Sequence, residues 1–178
     1  MNPVGELAAS FAGWSEIIAG KPDAERHFVL DRRGLAVAML WFVVAILLAA
    51  AARSVTGFPS LVQVMLGLIA ELVTLALVGV GIQQSLRRLQ VAAATERLLV
   101  PATYALAYMF VVSIPLQLIS AGLGLIALVL VAAMIARAGQ VLCGLKSGPA
   151  LAVAGVCLLV LVVVPAGLYI VLSLFPSA

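Results

Sequence analysis

Between residues 98 and 136 the chain carries no charged side chain. At about 1.5 Å per residue, one helix over this stretch would be nearly twice as long as the ~30 Å hydrocarbon core of a bilayer. The stretch therefore reads as a hairpin of two spanning helices, with Ser120-Ala121-Gly122 as the break and Gly122 as the helix terminator. The composition agrees: 65% of residues are hydrophobic and 10% are charged, whereas soluble domains run at roughly 45–50% and about 25%. Disorder requires the opposite balance. A transmembrane β-barrel would show short alternating segments instead of continuous apolar runs. The fold class is all-α: a polytopic membrane protein.

The same reasoning along the chain gives spans at 34–52, 60–82, 98–119, 123–143 and 150–174. Asp31, Arg32, Arg33 and Arg53 bracket the first. Thr56-Gly57-Phe58-Pro59 has turn composition and leads into the second. Gly144 to Pro149 forms a tight turn, with Gly144 ending one helix and Pro149 placed in the first turn of the next. Pro115 and Pro165 lie inside spans and bend them, because proline removes a helical hydrogen bond. Residues 1–33 are then a cytoplasmic amphipathic helix and linker, and residues 34–178 a five-helix transmembrane domain.

Orientation follows from the basic residues. Nine of the ten Lys and Arg fall on one side: Lys21, Arg26, Arg32, Arg33, Arg87, Arg88, Arg97, Arg137 and Lys146, with Arg53 alone on the other. The positive-inside rule places the N-terminus in the cytoplasm and the C-terminus on the periplasmic side. A basic excess of this size, spread beside apolar spans, is topology information and not a nucleic-acid patch. Ala50-Ala51-Ala52 has the small residues of a signal cleavage site. The 33 residues before the apolar run are too many for a usual signal n-region.

The N-terminal segment has its own period. Val4, Leu7, Phe11, Trp14 and Ile18 fall within about 80° at 100° per residue, with Glu6, Gly13 and Glu16 away from them. Phe11, Trp14 and Ile18 are the interfacial candidates, with Trp14 at headgroup level. A helix whose only charges are glutamates suits a lid over the protein's own helix ends as well. Gly20-Lys21-Pro22-Asp23 stops it.

Few residues carry chemistry. Glu71 sits at the middle of the second span, where a carboxylate costs roughly 2.5–3.5 kcal/mol on insertion scales. It is either a proton or cation site, or a protonated or paired group that fixes helix packing. Arg137 and Tyr108 are its depth-matched candidate partners, although Arg137 can equally snorkel to headgroups. Gln63, Ser113 and Gln117 lie toward the far side and can cross-link helices by hydrogen bonds. His27 is the one histidine, so no histidine-rich metal site exists, and no cofactor motif or catalytic set is legible. Cys143 and Cys157 read as buried thiols, not a disulfide framework.

The order of parts resembles the Yip (Ypt-interacting protein) membrane family, in its short bacterial form. The shared features are a cytoplasmic N-terminal segment, five spans, a basic loop between the second and third, and a short last tail. The segment from Phe11 through Lys21-Pro22-Asp23-Ala24 and the turn from Gly144 to Ala152 are similar to parts of bacterial members. The D-L-Y-G-P motif of eukaryotic members has no counterpart here, so recognition of Rab-type GTPases does not carry over. The resemblance implies a non-enzymatic bacterial inner-membrane protein. The expected partners are the lipid bilayer and other membrane proteins or a second copy, and not nucleic acid. The expected role is scaffold or accessory subunit, with a small transporter or channel using Glu71 as the alternative.

Overall fold

The computed structural model describes residues 2–53, 61–91, 94–120 and 123–173. They form six α-helices: α1 (Pro3–Ile18), α2 (Arg32–Arg53), α3 (Leu61–Arg88), α4 (Thr95–Ile119), α5 (Gly124–Cys143) and α6 (Ser147–Ser173). Among the described residues, five helices, α2 to α6, are long and apolar enough to cross a membrane. The protein is an integral membrane protein built from a five-helix bundle and an additional N-terminal helix. The expected turns at 56–59 and 121–122 lie outside the described residues.

Local chemistry sets the helix ends. Asn2 caps α1: its Oδ1 accepts from the Gly5 amide at 2.7 Å, and Pro3 takes the first helical position. Gly20 ends the segment in the left-handed region at φ +75°. A 3-10 turn (Pro22–His27) follows. Asp31 then caps α2, its Oδ1 accepting from the Gly34 amide at 2.8 Å. The link packs tightly here: a Cβ on Gly34 would lie 1.7 Å from the Val29 carbonyl oxygen. Gly144 ends α5 at φ +64°, and both its amide and the Leu145 amide reach the Gly139 carbonyl, the latter at 3.1 Å, a glycine-terminated helix end. The α3 end makes a similar reversal without glycine, with Gln90 at φ 61°.

The helices do not share the core equally. α4 is the central element, with 61% of its spanning window buried, against 28% for α2 and 22% for each of α3 and α6. It packs between α2 and α5, while α6 joins α5 to α3. Phe42 of α2 meets Phe110 of α4 edge to face at 5.5 Å. Ala38, Ala45 and Ala49 share the buried α2 face, and such small side chains let helix backbones approach. Buried positions on α3 include Leu75, Val78, Ile82 and Leu86, and those on α5 include Val131, Ile135, Ala138 and Leu142. Both sets step by three and four, one stripe of a helix. A Cβ on Gly81 would come 3.1 Å from Val156, so α3 and α6 touch closely there. Gly148, by contrast, has nothing within 4 Å, so its spacing with Ala152 does not mark a helix contact.

α4 begins at Thr95, earlier than the charge-free run. Pro101 therefore lies inside it, together with Pro115. Each removes one N–H from the helical ladder.

Candidate functional site

Among the described residues, two places gather polar side chains: a seat beneath α1, and a cavity among α3, α4, α5 and α6.

The seat is made where α1 lies against the start of α2, the middle of α4 around Tyr108 and the end of α5. The buried residues of α1 are Glu6, Ser10, Gly13, Trp14 and Ile17. At 100° per residue this face is turned about 90° from the apolar wedge of Val4, Leu7, Phe11, Trp14 and Ile18. Val4, Phe11 and Ile18 point outward, 64%, 58% and 63% exposed. Trp14 is a correction: it is not at the outer surface but 3% exposed, edge-on to Phe28 at 6.3 Å. The physical reason is that α1 has two different neighbours. Val4 and Ile18 of its apolar wedge face away from the protein while Trp14 turns in, and its side with Glu6 and Ser10 meets residues that bring polar partners.

Those partners are specific. Glu6 is 4% exposed, and its Oε1 lies 3.3 Å from the Arg33 guanidinium at the start of α2. Ser10 donates to the Leu7 carbonyl at 2.7 Å, so in its contact with Tyr108 the phenol is the donor. Phe11 stacks on the Tyr108 ring at 4.4 Å. Trp41 of α2 donates its indole N–H to the Pro3 carbonyl at 3.0 Å. At the other end of α1, the Arg137 guanidinium holds Gln140 at 3.1 Å. It also lies so near Gly20 that a Cβ there would be 2.5 Å away. That position puts a cation at the negative end of the α1 dipole. Glu16 pairs with Arg26 at 3.1 Å and with His27 at 3.2 Å, and Glu25 pairs with Arg97 at 3.4 Å.

Thus the side chains expected beside Glu71 have other partners. Tyr108 is engaged by Ser10, and Arg137 by Gln140 and the end of α1. Glu71 itself is half-buried and lines the second place, a cavity of about 300 Å³ among α3, α4, α5 and α6. It stands about 15 Å along α3 from Leu61 at about 1.5 Å per residue, near mid-span. Thr74, one turn on, and Ser113 of α4 share the wall; they are 2% and 7% exposed. Leu161 and Pro165 of α6 complete the polar side, and Phe110, Ala127 and Leu128 are among the apolar residues. The side chains of Gln63 and Gln117 lie outside the described residues.

Sequence reasoning singled out Glu71, Tyr108 and Arg137 but not Glu6, Ser10, Arg33 or Thr74. Thr74 had a signal, three residues from Glu71 and so on the same helix face. Glu6 and Ser10 had none, because a polar residue beside an amphipathic stripe reads as solvated. No group of three or more His, Cys, Asp or Glu side chains among the described residues is arranged to hold a metal ion. Comparisons with known protein families, with proteins of described function and with solved structures find no match to this chain.

Proposed function

We propose that this is a non-enzymatic membrane protein of the Yip type that acts as a scaffold or accessory subunit through helix contacts. In this reading the N-terminus is cytoplasmic and the membrane is the bacterial inner membrane. The observation that carries it is the use made of the intramembrane polar groups. Tyr108, Arg137 and Arg33 seat α1 on the bundle; they do not line up as a relay along a span. What the assembled protein then offers its surroundings is apolar helix surface. Leu159 and Val163 of α6 are 63% and 55% exposed, and Val4, Phe11 and Ile18 are exposed on α1. The order of parts shared with short bacterial Yip proteins supports the same role, and the nine-to-one split of basic residues supports the orientation.

Photo-crosslinking side chains placed at Leu159 and Val163 in the native membrane test it. Discrete adducts with protein, a second copy included, are the expected result. Adducts with lipid alone at both positions would remove the contact role.

A second reading, a small transporter or channel using Glu71, is favoured by one observation: Glu71 lines a cavity. Uptake in proteoliposomes that disappears in both Glu71→Gln and Glu71→Ala, with assembly unchanged, would put it first.

A further inference from the structure

We infer that the apolar groove bounded by α1, α2 and α4 is a binding site for one acyl chain of a membrane phospholipid. This goes beyond the contact role and does not depend on it.

Position is the first argument. The groove holds about 240 Å³; α1 contributes Leu7 and Phe11 to its wall, α2 contributes Trp41 and Leu48, and α4 contributes Tyr108 and Val111. α2 and α4 are both spanning helices, so the solvent around the groove is hydrocarbon. Phe11, Leu48 and Val111 are exposed, so it opens outward to the bilayer. From Trp41 to Leu48 the wall follows α2 for about 10 Å at about 1.5 Å per residue, the direction in which a lipid tail lies.

The wall excludes polar occupants. Two of its described side chains carry hydrogen-bonding groups, and the donors of both are used inside the α1 seat. The Trp41 N–H goes to the Pro3 carbonyl at 3.0 Å, and the Tyr108 phenol to the Ser10 hydroxyl. The other described side chains of the wall are hydrocarbon, whereas a buried water needs about two to four polar partners. Size excludes a helix of another protein, which with its side chains is about 10–12 Å across. At about 240 Å³ the space is also below the roughly 300–1,000 Å³ of pockets for compact small molecules. A flexible unbranched chain fits. Inside a bilayer such a chain gains nothing by leaving water, so packing holds it: an unfilled groove forfeits dispersion contacts along its wall. The chain fills the space between the apolar wedge of α1 and the two spans.

The test uses the full-length Trp14→Phe protein, in which Trp41 is the one tryptophan. It is purified in a steroidal detergent, which has no alkyl tail to compete, and titrated with phosphatidylglycerol brominated midway along its acyl chains. Bromine quenches tryptophan on contact. Trp41 fluorescence should fall and level off near one lipid per protein, and unbrominated lipid should restore it. Val111→Phe and Ala107→Leu enlarge side chains of the wall, and each should lose most of the quenching. Val111 is exposed, so its variant serves if Ala107→Leu fails to fold. Ordinary contact with surrounding lipid is read at Val129 of α5, also exposed. Val129→Trp in a Trp14→Phe, Trp41→Phe background should be quenched without levelling off. Trp41 quenching that never levels off, or that persists undiminished in Val111→Phe, overturns the inference. So does native mass spectrometry in which Val111→Phe releases a bound protein chain in place of a lipid. A failed crosslinking result at Leu159 and Val163 leaves it standing.

Discussion

Ser10 and Tyr108 lie ninety-eight residues apart in sequence and meet through their hydroxyls. At the residue scale this pair and the Glu6–Arg33 pair are what fix α1. A hydrogen bond of this kind in a membrane protein is worth about 0.6 kcal/mol on average. The Ser10→Ala and Tyr108→Phe variants should therefore show a coupling of about that size in a double-mutant cycle read by reversible unfolding in detergent. Additive effects would mean that the two hydroxyls do not act together. Glu71 makes a complementary case. Glu71→Gln keeps shape and hydrogen-bonding capacity, so it should melt within a few degrees of the parent. Glu71→Ala should melt lower, since it enlarges a cavity and strips a polar contact. Equal melting of all three would show that the side chain holds nothing in place.

At the scale of elements, α1 is the informative one. Its buried face mixes polar and small residues (Glu6, Ser10, Gly13) with Trp14 and Ile17, and its exposed face carries Val4, Phe11 and Ile18, an arrangement suited to a place between protein and lipid. Single cysteines in a Cys143→Ala, Cys157→Ala background should divide accordingly. Those at Phe11 and Ile18 should react with a membrane-permeant maleimide, and those at Ser10 and Ile17 should be protected. Equal reactivity at all four would show that α1 is not seated. The tight link into α2 gives a second expectation. Gly34→Ala would drive a Cβ into the Val29 carbonyl, and backbone cannot swing aside as a side chain can. It should lower the melting temperature by several degrees and loosen α1 in the same labelling assay, whereas Gly67→Ala, with nothing within 4 Å, should change neither.

For the whole molecule, the nine-to-one distribution of Lys and Arg predicts that reporter fusions after Gln90 and at Ala178 report opposite sides of the membrane, the first cytoplasmic. The same side for both would break the five-span topology. The spans themselves were legible because their cause is local and cumulative. A charge-free run of this length has to cross hydrocarbon as a helix, and turn residues such as Gly144 mark where it reverses. Glu71 was legible as an exception to that rule. The partnerships were not legible. α1 was read by its apolar wedge alone, and the orientation of an amphipathic helix depends on what lies on each side of it. Arg137 and Tyr108 matched Glu71 in depth, but depth along the membrane normal says nothing about azimuth around the bundle. The sequence by itself determined the class, the number of spans and the reversal at Gly144, because hydrophobicity and glycine act within a few residues, whereas α3 runs on to Arg88 and α4 starts at Thr95, beyond the apolar runs. Only the tertiary structure decided that Glu6 and Ser10 face inward, that Arg137 serves α1, and that Glu71 lines a cavity. Each depends on which helix faces are brought together, and that is set by packing among segments far apart in the chain.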